Sequence, residues 1–207
     1  MTNSQPVAAP SVLPHFPWGT LLLSTATVVL SAFVAIEISG TWMGKVRIVD
    51  LEQYGVRFEH VQNLELWRLV TAQLVHVKQL HMMADVFCLL WLGTAIEKHV
   101  GGIRLLLLWL IGGSLATLFS TLFVTPPWNL GTGASQAIMA IAGTGLWLAI
   151  EGVDRSRSLM LPVAFSIGLA FAIDIVHVYH PKPGHVAGLL LGLLAAMLHK
   201  RKAETSP

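Results

Sequence analysis

The chain has 207 residues, 54% of them hydrophobic and only 12% charged, with a mean hydropathy of +0.67. Soluble domains carry about 25% charged residues, so this composition excludes an ordinary soluble fold, and a formal charge of +2 is too small to argue for nucleic acid as a partner. The single cysteine, Cys88, excludes an internal disulfide and a cysteine-based zinc site.

Residues 1–16 read as an irregular tail, broken by Pro6, Pro10 and Pro14 and lacking the basic segment of a secretory signal. A membrane helix needs about 20 mostly apolar residues. Pro17 to Ile38 is the first such run. A long outer loop follows over about residues 40–78. In it Lys45, Arg47, Asp50, Glu52, Arg57, Glu59 and Glu65 interrupt any span, while Trp42, Met43, Val46, Ile48 and Val49 suit the membrane interface. The second span is expected from Gln79 to Lys98 and the third from Arg104 to Val124. No Asp, Glu, Lys or Arg occurs between Leu105 and Ile150. Pro126, Pro127, Asn129, Gly131 and Gly133 cut that stretch and start a fourth helix at Ser135, running to Ile150. A polar turn, Glu151–Ser158, precedes a fifth span over Leu159–Val176, and a sixth covers Gly184–His199, stopped by Lys200, Arg201 and Lys202. The expected fold class is an all-α, polytopic six-helix membrane bundle: one domain over 17–200, a tail over 201–207, and no internal repeat. Basic residues in short loops mark the cytoplasmic side, which assigns Lys98, Arg104, Arg155, Arg157 and the C-terminal basic run to the cytoplasm.

Polar residues inside spans are functional candidates, because an Asp at a helix centre costs about 2.5–3.5 kcal/mol on insertion scales. Four groups are expected on the non-cytoplasmic side: His76, His81 and Asp85; Gly133-Ala134-Ser135; Asp174, His177 and His180; and His185. His81 and Asp85 are one helical turn apart and share a face. Asp85 precedes Glu97 by roughly 18 Å of helix, which puts the pair in the outer half of the bilayer. Ser135 opens a helix, where free N–H groups and a partial positive charge suit a developing oxyanion. His185 begins a helix with Gly184, Gly188 and Gly192 at every fourth position, a stripe that permits close approach of a partner helix. Each feature alone has a plainer reading: an N-cap serine, an interfacial histidine, a packing stripe.

Together, in this order, they resemble the rhomboid intramembrane proteases over about residues 65 to 200. Glu65-Leu66-Trp67-Arg68 resembles that family's Trp-Arg motif. His76 and His81 resemble its His-rich second span, and Gly93 and Glu97 the small residue and acidic end of that span. Gly133-Ala134-Ser135 is similar to its Gly-x-Ser motif, and His185 with Ala187, Gly188 and Gly192 to its catalytic histidine helix. Asp174 falls where the family often carries an acid. The resemblance implies a serine endopeptidase acting in the lipid bilayer on transmembrane protein substrates, in a bacterial inner or plasma membrane with its site toward the non-cytoplasmic side. Ser135 is then the nucleophile and His185 its base. No cofactor, metal or nucleic acid is called for. His81, Asp85 and Gln136, with the Ser135 N–H, are the expected oxyanion groups.

Two positions depart from the pattern: Gln136 replaces a glycine, and Asp85 replaces an asparagine whose amide donates to the oxyanion. An ionised Asp85 has no donor. Either a protonated Asp85 donates, or Asp85 pairs with protonated His81 and backbone N–H groups carry the charge. No third acid stands out to orient His185, so a dyad is expected. Asp174 and the loop 177–184, with Pro181, Pro183 and Gly184, are expected to flank substrate access, His76 to be structural, and Met139 to pack near His185. Three other readings stand beside the protease: an inactive rhomboid that binds membrane clients, a specialised rhomboid such as a rhombosortase that processes C-terminal anchors of exported proteins, and a small proton-linked transporter using His81, Asp85 and Asp174.

Overall fold

The structure, a computed structural model, describes residues 16–124, 126 and 129–204, with side chains as far as Leu198. Residues 1–15 of the expected tail 1–16, Pro127 and the side chains of Lys200, Arg201 and Lys202 lie outside that description.

Most of the described residues are helical, as the long apolar runs require: backbone polar groups in lipid must be satisfied within the segment, and a helix does this. Four helices are long and apolar enough to cross a membrane: α1 (Trp18–Ser39), α2 (Gln79–Val100), α3 (Gly102–Phe123) and α5 (Arg157–Val178). Two further helices complete the bundle: the shorter α4 (Ser135–Ile150), and α6 (Pro183–Glu204), whose apolar part is Pro183–Leu198. The basic run at 200–202 does not stop α6, whose backbone stays helical through Glu204. Exposed Leu22, Val29, Phe33, Phe119, Phe123, Leu161, Val176, Leu190 and Leu194 give the bundle an apolar outer face suited to lipid.

α4 is the central helix, buried continuously from Gln136 to Gly145. Its small residues allow this. Gly188 and Gly192 of α6 lie directly on the α4 backbone: a Cβ at Gly192 would fall on the Ala140 carbonyl, and one at Gly188 would come within 3.2 Å of Met139 Cβ. Thr144 Oγ1 donates to the Gly192 carbonyl across the interface at 3.1 Å. On the other side, a π-helical turn at Leu108–Gly112 interrupts α3 and brings Gly112 and Gly113 against Ala140 and Ala137. At about 1.5 Å per residue, α4 spans roughly 24 Å, against about 30 Å of hydrocarbon. A helix this short begins or ends below the membrane surface.

Two clusters of charge mark the end of the bundle opposite Ser135. Glu97, fully buried near the end of α2, caps the start of α1: its carboxylate accepts from the N–H groups of Gly19 (2.9 Å) and Thr20 (2.8 Å) and from Thr20 Oγ1 (2.7 Å). Asp154, between α4 and α5, meets Lys98 Nζ at 3.2 Å and His99 Nε2 at 2.9 Å. Hydrogen bonding from Ser156, with Lys98 and His99, holds the Asp154 carboxyl well below the usual carboxylate range.

The outer loop packs on the bundle instead of lying wholly in the interface. Trp42, Met43 and Val49 stay about half exposed, but Val46 is buried in a second core with Val34, Ala35, Leu51, Val75 and Leu130. Arg68 fastens the loop to itself: it pairs with Glu65, donates to the carbonyls of Glu52 (2.9 Å) and Gly55 (3.2 Å), and lies 4.6 Å from the Trp67 ring.

Candidate active site

The outer loop holds the segment that leads into α4. Val56 and Gly131 exchange both backbone hydrogen bonds, at 3.2 and 2.8 Å, as an isolated antiparallel bridge. Arg57 Nη1 donates to Asn129 Oδ1 (2.5 Å) and is itself held by Glu52 (2.8 Å). The Gly133 N–H donates to the Ala72 carbonyl at 2.8 Å. Gly133 turns the chain at φ +96°, a left-handed conformation that a side chain resists. The first helical bond of α4 runs from the Ile138 N–H to the Ala134 carbonyl. The N–H groups of Ser135, Gln136 and Ala137 therefore have no intrahelical acceptor.

Ser135 and His185 meet: His185 Nε2 lies 2.7 Å from Ser135 Oγ. The glycine stripe of α6 allows this, since α6 at Gly188 touches the Gln136 carbonyl and Met139 and thereby holds His185 over the α4 N-terminus. Met139 is fully buried and packs at Gly188, one turn beyond His185.

The expectation that no acid orients His185 is corrected by the structure. Asp174, fully buried in the last turn of α5, brings Oδ2 to 2.6 Å from His185 Nδ1. A carboxylate only accepts, so Nδ1 carries the proton and Nε2 of the neutral ring accepts from the serine hydroxyl. Asp174 is thus not a residue at the edge of the site. Its eleven-residue separation from His185 crosses a loop, so no helical periodicity links the two in the sequence.

Asp85 is ringed by imidazoles. His76 Nε2 lies 3.1 Å from Asp85 Oδ2, and His81 Nε2 lies 3.6 Å from Oδ1. His76 is buried and reaches Ser31 of α1 through Nδ1 at 3.2 Å, while the Ala134 N–H approaches its Nε2 at 3.4 Å. His76 thus ties α1, α2 and the loop before Ser135 together, and it also contacts Asp85 directly. A small cavity of about 20 Å³ between α2 and α5 is lined by Ser135, His185, His81 and Asp85, with Cys88 and Ser166 behind them. Four of the five expected residues therefore share one space. Gln136 does not: Thr117 Oγ1 donates to its Oε1 at 2.6 Å, and its side chain lines a separate, larger cavity of about 270 Å³. That cavity, walled also by His76, Lys78, His81, His177 and Lys182, adjoins the same region through His81, which lines both. The arrangement supplies an oxygen nucleophile, a base with its proton fixed on the far nitrogen, and N–H donors beside the serine, the parts that acyl transfer requires.

Comparison with known proteins identifies the family. The family model for the Rhomboid domain matches residues 63–202. Rhomboid protease GluP of Bacillus subtilis (strain 168) is 27% identical over 170 residues, which cover 79% of this chain and 32% of the relative. RHOMBOID-like protein 6, mitochondrial, of Arabidopsis thaliana is 30% identical over 135 residues, 64% of this chain and 43% of the relative. Rhomboid protease GlpG of Yersinia pestis (strain Pestoides F) is 27% identical over 192 residues, 89% and 64%. The chain spans between about a third and just under two thirds of the length of these relatives.

Proposed function

This chain belongs to the rhomboid family of integral, multi-pass membrane proteins, and from that membership we propose that it is an intramembrane serine endopeptidase that cuts transmembrane segments of other membrane proteins. The observation that carries the reading is the 2.7 Å contact between Ser135 Oγ and His185 Nε2 at the buried N-terminus of α4. His185 takes the hydroxyl proton as Ser135 attacks the scissile carbonyl, and then returns it to the leaving amine. The Ser135 N–H and His81 face the developing oxyanion. Water arrives through the cavity beneath Lys78 and Lys182 and releases the acyl group from Ser135. The short α4 keeps this chemistry below the membrane surface, which favours substrate segments whose helix unwinds readily. The basic residues at the opposite end, Lys98, Arg104, Arg155 and Arg157, support a site that opens away from the cytoplasm.

A second reading, a catalytically silent family member that binds membrane clients, is favoured by Asp85, which lies 3.1 Å from His76 Nε2 and offers no donor to an oxyanion when ionised. One experiment separates the two. The reconstituted protein is exposed to a fluorophosphonate probe and to a model transmembrane substrate, and compared with Ser135→Ala and His185→Ala. Labelling and cleavage that fall by about 10³-fold or more in both variants are expected. Equal labelling in Ser135→Ala sinks the protease reading, and a wild type that binds the substrate without labelling or cutting favours the silent member.

A further inference from the structure

We propose that Asp174 is the positioning acid of this site, fixing the tautomer of His185 and stabilising the imidazolium that forms when the ring takes the Ser135 proton. The inference rests on the Ser135–His185 reading and extends it from a pair to a triad.

Three observations carry it. Asp174 Oδ2 is 2.6 Å from His185 Nδ1, on the side of the ring opposite Ser135. Asp174 is wholly buried and His185 is 3% exposed, so no water screens the contact. A buried carboxylate is poorly placed unless a cation compensates it, and an imidazolium at His185 is the nearest one formed during the reaction. The only other cation beside the carboxylate among the described residues is Lys182, whose Nζ stands further off, at 3.7 Å from Oδ1. Asp174 Oδ1 has no hydrogen-bond partner among the described residues, so the hydrogen bonds to this carboxylate fall on Oδ2.

The competing explanation is a structural clamp. The same Oδ2 accepts the Lys182 N–H at 2.8 Å, so one oxygen ties the end of α5 to the turn that starts α6. This shared oxygen makes the two roles separable. The carbonyl of an asparagine at position 174 accepts both bonds from the same place and removes only the charge. The groups facing His185 are Asp174 from α5, Lys182 from the turn, and His81 and Asp85 from α2, which lie within electrostatic range of it.

The test is the rate of fluorophosphonate labelling of the full chain as a function of pH, in wild type, Asp174→Asn and Ser135→Ala, with thermal unfolding followed in parallel. Labelling reports the nucleophile without requiring a substrate to enter. Asp174→Asn is expected to fold like wild type, to label about 10- to 10³-fold more slowly, and to show its acidic limb at lower pH, because the imidazolium has lost its counter-charge. A folded Asp174→Asn with an unmoved profile and a rate within about twofold of wild type makes Asp174 a clamp only and overturns the assignment. Should Asp174→Asn lose the fold, Lys182→Met carries the test: without that ammonium the carboxylate holds His185 more strongly, the limb moves to higher pH, and an unmoved limb overturns the assignment. If wild type labels no better than Ser135→Ala, the Ser135–His185 reading fails as well, an outcome distinct from failure of Asp174 alone.

Discussion

Asp85 stands where the resemblance places an asparagine, and its surroundings say what the exchange does. One carboxylate oxygen faces His76 and the other faces His81. In Asp85→Asn, the carbonyl keeps the His76 contact and the amide turns a donor toward the space shared with Ser135. Activity equal to wild type or higher is therefore expected at neutral pH, by at most the roughly 10²–10³-fold that one oxyanion donor supplies. The check is kcat/KM on a model transmembrane substrate, and a large loss would assign Asp85 a role of its own. The composition of this cluster was legible in the sequence, because His81 and Asp85 lie one turn apart on one helix. His76 was read as a structural member of the same group, but its direct contact with Asp85 was not legible, since His76 comes from an irregular segment whose direction is set by its contacts with Ser31 and Ala134. The pairing of Asp174 with His185 was hidden for the same reason, the two lying on either side of a loop.

Helix positions could be read from the chain because a membrane imposes length and apolarity on each span. Helix contacts were readable only where small residues repeat. The α6 glycine stripe is such a case, and its tolerance is narrow. Gly192→Ala drives a methyl onto the Ala140 carbonyl and is expected to lower stability by about 1–3 kcal/mol. Because α6 carries His185, labelling of Ser135 should fall more steeply than stability does, which thermal unfolding and probe kinetics together would detect. The cap on α1 is the counterpart at the other end. Glu97→Ala leaves the first N–H groups of α1 without their carboxylate and is expected to cost about 2–4 kcal/mol, with Glu97→Gln intermediate. Equal unfolding of Glu97→Ala and wild type would refute this role. The sequence marks Glu97 as a span terminus, but a cap reaching across to another helix has no local signature.

At the scale of the whole molecule, reactive groups and basic loops occupy opposite ends of the bundle. If basic loops face the cytoplasm, a cysteine introduced at exposed Thr41 will be labelled by an impermeant maleimide from the non-cytoplasmic side of intact cells. One at exposed Val153 will be labelled only after permeabilisation. Cys88 is buried and contributes little background. The reverse pattern would invert the proposed orientation. The amino-acid sequence by itself determined that the chain is a helical membrane protein, where its long apolar runs lie, and that a serine and a histidine each stand in the first turn of a helix, because hydropathy and turn residues act over short stretches of chain. Only the tertiary structure decided which polar groups touch. The pairing of His185 with Asp174, the contact of His76 with Asp85 and the turning of Gln136 toward Thr117 all depend on how closely separate segments of the chain approach. That distance is set by packing between segments far apart in the chain, so no local pattern encodes it.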